Sequence, residues 1–289
     1  LPKVTPTILI TGANGFLGSH LFPKLSNKFS TFGIVRKLNS TNDKLNECDL
    51  SDSKSLVEIL NKIKPEIVIH TAACSALSFC EQNPMDSYLT NVRATQTISD
   101  WATIQNSNLI FTSTDQVFDG KKSDYKEEDI PNPISEYGKQ KLEAEKIVLQ
   151  NPENVVLRLP LLIGIGKGER KGTLHQMVEQ IKEGKSLNLF TDEYRTPLSA
   201  DEVVRAIEFV IENKLNGLFH ISGDQRINRY ELGLLIAKRF NLHQSKLIST
   251  TREKAGMENR PRDVSLNNEK LKTAGFYPKS LDEMLSQIT

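Results

Sequence analysis

Three cysteines in 289 residues are too few, and too scattered, for a disulfide framework or a zinc site. Cys48, Cys74 and Cys80 have neither metal nor redox spacing, so reduced thiols in the core of a cytoplasmic protein are expected. The histidines (His20, His70, His175, His220, His243) are spread along the chain and suggest no metal cluster, so no metal is expected. Neither sign of charge dominates: the formal net charge of +1 gives no long-range attraction to nucleic acid or to an anionic membrane. No apolar run approaches the ~20 residues of a membrane span. The opening Leu1-Pro2-Lys3-Val4-Thr5 lacks the charged-then-apolar order of a signal peptide, and its missing Met points to a processed or trimmed chain. Repeats and low-complexity segments are lacking too. The length suits one large domain, or a core with a smaller lobe.

What is present is an alternation of strand and helix patterns. Strands are expected at Thr7 to Thr11, Phe32 to Val35, Glu47 to Leu50, Glu66 to His70, Asn108 to Thr112, Val155 to Leu159 and Leu218 to Ile221. Helical patterns fall between them, from about Ser53 to Ile63, Asp86 to Ile104 and Leu142 to Gln150. Ser199-Ala200-Asp201-Glu202 reads as a capping box opening a helix to about Ile211. Such alternation argues for an α/β fold: a Rossmann-type, doubly wound parallel sheet with helices on both faces. The pattern loosens after Pro160, where Gly164, Gly166, Gly168 and Gly172 punctuate a flexible, substrate-facing segment. The expected division is a nucleotide-binding domain over 1–160, with sheet additions from about 196–222, and a smaller, mostly helical lobe over 161–289.

Three segments carry chemistry. Thr7 to Thr11 runs into TGANGFLGSHL, the order of strand, glycine turn and helix that a dinucleotide-binding fingerprint needs. Gly12 permits the tight turn, Gly15 lets the backbone approach a pyrophosphate, and Gly18 lets the helix pack close to the strand. Free N–H groups at the helix N-terminus then hold the phosphates. An ordinary glycine-rich turn is the alternative. Pro23 falls inside this first helix, where it should bend or shorten it.

The second segment is STDQVFDG, Ser113 to Gly120. Its hydroxyls come at or just past the end of a strand, where parallel sheets bind ligands. A Ser/Thr/Asp turn satisfying its own backbone reads the same way.

The third is Tyr137 with Lys141, four residues apart and so on one helical face. A phenol with a pKa near ~10 is a poor acid at neutral pH. A nearby ammonium stabilises phenolate, and the phenol then gives up its proton more readily. A solvated helix face supplies the same spacing by chance, so the pair gains meaning only beside the other two segments.

Together the three segments resemble the extended short-chain dehydrogenase/reductase family, over nearly the whole chain. STDQVFDG, NPISEYGKQKLEAE and RPRDVSL look most like dTDP-4-dehydrorhamnose reductase and its relatives, which reduce a 4-keto sugar nucleotide to the deoxysugar. The resemblance implies NAD(P) on the glycine turn, with contacts from Gly12, Asn14, Gly15, Phe16, Leu17 and Gly18. It implies proton transfer by Thr114, Tyr137 and Lys141, the last two also touching the cofactor. It places Asp49 and Leu50 near the adenine, and Ala72 and Ala73 after the fourth strand; plain packing would also account for these four.

NAD-preferring sites place an acid at the end of the second strand. Here Arg36-Lys37 stands there, and an Arg suits a 2′-phosphate, so NADPH is expected, with NADH possible. A solvated basic pair is the alternative for Arg36. The expected partner is a small sugar-nucleotide substrate, in a monomer or homodimer. Its contacts are assigned by resemblance to Asp115, Gln116, Arg195 with Thr196, and Arg260 ahead of Arg262.

Two positions depart from the family pattern. Sugar-nucleotide 4,6-dehydratases carry Thr-Asp-Glu after the strand, whereas Gln116 has no titratable proton, and the rhamnose-reductase pattern often has Tyr there. Some bacterial relatives carry a magnesium-linked Glu two positions after the third glycine, where this chain has His20. Two alternatives stay open: an NADP-binding regulatory subunit resembling that of methionine adenosyltransferase, and a sugar-nucleotide epimerase of the extended family, which would hold NAD and conflicts with Arg36.

Overall fold

The computed structural model describes residues 5–38, 41–168, 171–257 and 260–288; Leu1 to Val4 of the opening segment lie outside them. Strands β1 (Thr7–Thr11), β2 (Ser30–Val35), β3 (Leu45–Glu47), β4 (Ile67–His70), β5 (Asn108–Thr114) and β6 (Val155–Leu159) belong to one parallel sheet. Short strands β7 (Leu162–Ile163), β8 (Leu187–Phe190), β9 (Tyr194–Arg195) and β10 (Leu198–Ser199) follow. Then β11 (Gly217–His220) joins the sheet beside β6, and β12 (Ile227–Asn228) and β13 (Leu247–Thr250) close the series. The order β11-β6-β5-β4-β1-β2-β3 reverses direction between β1 and β4. That is the switch point where a doubly wound sheet opens a crevice at its strand C-termini.

The main helices are α1 (Gly18–Ser26), α2 (Ser53–Ile63), α3 (Leu77–Gln82), α4 (Pro84–Tyr88), α5 (Ala94–Gln105), α6 (Glu136–Val148), α7 (Thr173–Lys182), α8 (Ala200–Glu212) and α9 (Arg229–Arg239). Two short ones, α10 (Glu269–Thr273) and α11 (Leu281–Gln287), end the chain. Alternation along β1 sends Ile8 and Ile10 to a core with Leu21 and Leu25 of α1 and Val203 and Ile207 of α8. Leu9 points to the other core, with Leu56 and Leu60 of α2, Ile98 of α5 and Ala144 and Val148 of α6. Helices therefore cover both faces, as the alternation requires.

Several boundaries differ from expectation for local reasons. The third strand sits earlier, at Leu45–Glu47, because Leu45, Asn46 and Glu47 pair with Gly33, Ile34 and Val35. β5 runs on through Ser113 and Thr114, which pair with Arg158 and Leu159 of β6, so both hydroxyls lie on the strand. α6 begins at Glu136, not Leu142, because the Ser135 hydroxyl caps it by accepting from the Gly138 N–H. Only half of the expected capping box forms at α8: Ser199 accepts from the Glu202 N–H, while the Glu202 carboxylate turns to Arg205. The segment expected as one helix from Asp86 is α4 and α5 joined by a π-helical turn at Leu89–Arg93. Helix α1 passes through Pro23 and ends at Ser26. The regular structure after 160 is mostly helical, with short paired strands between the helices, β8 with β13 and β9 with β12.

Candidate active site

The glycine turn is built by close approach. Gly12 has φ +70, the left-handed region, and a Cβ there would lie 3.0 Å from the Ala72 backbone. A Cβ on Gly18 would collide with the Gly12 carbonyl, so α1 can start this near β1 only with glycine. The segment after Pro160 packs on this turn: Gly168 lies against Asn14 and Ser19, and Gly172 against the Phe16 ring. Both glycines therefore make tight packing contacts. His20 is buried, its ring nitrogens 3.0 Å from Asp201 Oδ1 and 3.1 Å from the Ile165 carbonyl.

A cleft of about 540 Å³ opens above the sheet's switch point. Gly12, Asn14, Gly15, Phe16, Leu17 and Gly18 line one end of it, with Arg36, Asp49 and Leu50 on the β2–β3 side and Ala72 and Ala73 after β4. Asp49 holds its carboxylate by accepting from the N–H and hydroxyl of Ser51, which keeps its pKa below the ordinary value. Thr114, Asp115, Gln116, Tyr137, Lys141, Arg195 and Arg260 line the rest. The residues placed first in the expected site thus border one cavity. Two secondary candidates do not: Arg262 is exposed, and the Thr196 hydroxyl accepts from the Leu266 N–H as a structural tie.

Thr114 ends β5, and Tyr137 and Lys141 lie on the first turns of α6. All three are buried. The Lys141 ammonium sits 3.8 Å above the Phe111 ring, and burial lowers its pKa to about 7, against the pull of Glu145. Tyr137 departs from the expectation of a lowered pKa: burial first, then the Asp115 carboxylate, push it above the ordinary phenol value, while Thr114 pulls the other way. A phenol so placed carries its proton at neutral pH, the form in which an acid must wait. His70, behind this group at the end of β4, is held neutral, its pKa pushed down to about 3 by burial and then by Lys141. Its ring nitrogens bond Thr11 (2.6 Å) and Thr95 (3.1 Å).

The opposite wall is a charge cluster. Asp115 pairs with Arg195, Nε to Oδ2, at 3.2 Å. Burial raises the Asp115 pKa to about 6, with Arg195 opposing. Glu193, also buried, meets Arg195 at 3.4 Å, Arg229 at 3.9 Å and Arg260 at 3.0 Å. Three guanidiniums therefore face two carboxylates, which leaves the wall cationic. Gln116 Oε1 is buried there without a hydrogen-bond partner.

Sequence reasoning missed Glu193 and Arg229, and also Asn91. Asn91 sits in the π-helical turn and clasps the Cys74 backbone, accepting from its N–H at 2.8 Å and donating to its carbonyl at 3.0 Å. It fixes the chain just past Ala72 and Ala73. A π turn inside a helix is a recurrent mark of functional sites, but the sequence there reads only as helix.

A strand-glycine-helix turn and a Thr-Tyr-Lys group on one cleft agree with comparison to known proteins. Residues 6–289 match the family described as RmlD substrate binding domain. The chain belongs to that family. Among solved structures, a hypothetical dTDP-4-dehydrorhamnose reductase from Sulfolobus tokodaii is 32% identical, with a TM-score of 0.85 over 96% of this chain and 98% of that one. The dTDP-4-dehydrorhamnose reductase of Bacillus anthracis, solved in complex with NADP, shares the fold at a TM-score of 0.89 and 23% identity, over 98% of both chains. Methionine adenosyltransferase 2 subunit beta of Bos taurus is 32% identical over 277 residues, 93% of this chain and 82% of that protein. The chain is thus similar in fold to chains named as reductases and in sequence to one named as a subunit of another enzyme. Among the described residues no helix is long and apolar enough to cross a membrane.

Proposed function

We propose that this protein is an NADPH-dependent reductase of a nucleotide-linked 4-keto-6-deoxysugar. The observation that carries the reading is the convergence of Thr114, Tyr137 and Lys141 between the glycine turn and the Arg195–Arg229–Arg260 wall. The glycine turn fits a dinucleotide, because its backbone is bare where a Cβ would stand against Gly12 and Ala72. Arg36 at the rim favours a 2′-phosphate over a bare ribose hydroxyl.

When bound, the nicotinamide supplies the hydride that reduces the carbonyl carbon. The Thr114 hydroxyl donates to the carbonyl oxygen as negative charge develops on it. Tyr137, protonated at rest, gives its proton to that oxygen. The Lys141 ammonium stabilises the phenolate so formed and holds the nicotinamide ribose. At the far wall the guanidiniums suit a diphosphate, and the unpaired Gln116 Oε1 suits a sugar hydroxyl. Gln116 is not titratable and cannot serve as the base an elimination needs, which disfavours a dehydratase. Reduced thiols at Cys48, Cys74 and Cys80 suit a cytoplasmic setting.

A second reading is a regulatory subunit that binds NADP and a partner enzyme, favoured by the likeness to methionine adenosyltransferase 2 subunit beta. Retained Thr114, Tyr137 and Lys141 suit both. The deciding experiment offers a panel of 4-keto sugar nucleotides with NADPH and follows its oxidation by absorbance. Turnover of one member supports the reductase. No turnover, with a stoichiometric complex formed with a methionine adenosyltransferase catalytic subunit, supports the other.

A further inference from the structure

The three guanidiniums of the charged wall are not equally committed. Arg195 is held on three sides. Its Nε pairs with Asp115 Oδ2 at 3.2 Å, its Nη2 with Glu193 Oε1 at 3.4 Å, and its Nη1 donates to the Tyr194 carbonyl at 2.9 Å. Arg260 sets Nε and Nη2 against Glu193, at 3.0 Å from Oε2 and 3.4 Å from Oε1, and its guanidinium lies 5.5 Å from the centre of the Phe190 ring. Arg229 meets the same carboxylate only through Nε, at 3.9 Å, beyond hydrogen-bond distance. Among the described residues its guanidinium makes no hydrogen bond and pairs with no second carboxylate.

The chain fixes Arg229 where it stands. It opens α9 directly after the cap Asn228, and its backbone N–H donates to the Glu193 carbonyl at 3.1 Å. It also borders a small hollow lined by Leu174, Met177 and Ile236, which holds no acid. Its side chain is 18% exposed and lines the cleft. An arginine keeps its charge at any ordinary pH, so this group cannot shed a proton to ease its burial. The two carboxylates of the wall, Asp115 and Glu193, are closed on Arg195 and Arg260. The positive charge left over on the wall is therefore that of Arg229.

We propose that Arg229 is the residue that binds a phosphoryl oxygen of the sugar-nucleotide substrate, with Arg195 and Arg260 as fixed neighbours whose charge is already paired. This rests on the reading of the cleft as a sugar-nucleotide site. A guanidinium with free donors presents a planar fork to two phosphoryl oxygens, and each such bond is charge-assisted. Arg260 would have to release Glu193 Oε2 to offer its Nε edge, and that leaves a buried carboxylate short of a partner. Both the substrate and the cofactor carry phosphoryl groups. The wall stands opposite Thr114, Tyr137 and Lys141, whereas the glycine turn lines the other end of the cleft, so the substrate is the source assigned to Arg229.

The test titrates UDP, dTDP, GDP and CDP into the protein by calorimetry, in the presence of excess NADP+. It compares the unmodified chain with Arg229→Met, Arg229→Lys and Arg260→Met, and NADPH is titrated into each separately. Arg229→Met keeps most of the side-chain length and removes the charge. The nucleoside diphosphate that binds the unmodified protein is expected to bind this variant about ten- to about a hundredfold more weakly, the worth of a hydrogen bond to a charged group. Arg229→Lys keeps a cation without the fork and should fall between the two. Arg260→Met should lose less than Arg229→Met. NADPH should bind Arg229→Met as it binds the unmodified protein.

Unchanged diphosphate affinity in Arg229→Met overturns the proposal and leaves the sugar-nucleotide reading standing. A loss confined to NADPH assigns the phosphoryl group to the cofactor and overturns it as well, as does an equal or larger loss in Arg260→Met. Binding of no diphosphate to the unmodified protein removes the sugar-nucleotide reading itself, and the proposal with it. Should Arg229→Met not fold by circular dichroism, Arg229→Gln, which also drops the charge, carries the same comparison with the same outcomes.

Discussion

The Arg195 guanidinium pairs with the Asp115 carboxylate at 3.2 Å, and both side chains are buried. Removing the cation leaves a carboxylate in the core with no partner of opposite charge at that distance. Arg195→Leu is expected to cost about 3–5 kcal/mol of stability at about pH 8. The loss should shrink in acid. Asp115 has its pKa raised to about 6 by burial even with Arg195 opposing, and without Arg195 it rises further. A carboxyl whose folded pKa is raised loses stability as pH climbs through that pKa and keeps it below the unfolded value. Urea unfolding at about pH 8 and about pH 5 checks this, and equal losses at both would contradict it.

Lys141 gives the opposite sign. Its folded pKa, about 7, lies below the ordinary lysine value, so the folded state sheds the proton first. Between the two pKa values the unfolded chain binds more protons, and stability rises with pH there. Below the folded pKa the full cost of the buried ammonium is present. Lys141→Met should therefore be more stable than the unmodified protein at about pH 6, with the gap narrowing towards pH ~10. Melting temperatures across that range test it.

Gly18→Ala should abolish dinucleotide binding, because the added Cβ meets the Gly12 carbonyl and moves the helix start that cradles phosphate. Circular dichroism should still show a folded α/β protein while NADPH titration shows no binding. Normal affinity in the variant would remove the glycine turn from the account.

Arg36 sits at the rim of the cleft just past the end of β2. NADPH is expected to bind more tightly than NADH, and Arg36→Ala should erase much of the difference. Equal dissociation constants in the unmodified protein would sink this prediction.

The sheet was legible because buried parallel strands are short continuous apolar runs, as in TILIT and VVLRL. The glycine turn was legible because close backbone approach leaves no other residue possible at Gly18. Boundaries that depend on a neighbouring strand were not: β3 is placed by pairing with Gly33 to Val35, which no local pattern encodes. The charged wall was half legible. Arg195 and Arg260 stand in segments that resemble the family. Glu193 reads as an ordinary loop acid, and Arg229 as an exposed first-turn residue beside its cap Asn228. Only the folded chain brings Glu193, Arg195, Arg229 and Arg260 together. The Tyr137 pKa was misjudged because spacing on a helix brings Lys141 near but says nothing of desolvation or of Asp115.

The central claim is that Tyr137 is the acid in a keto-sugar nucleotide reduction. Tyr137→Phe keeps the ring and removes only the hydroxyl, so it isolates that role. With the substrate that supports NADPH oxidation in the unmodified protein, the variant is expected to lose ~10²–10⁴-fold in kcat while binding NADPH with nearly the same affinity. Turnover at the parent rate would contradict the account.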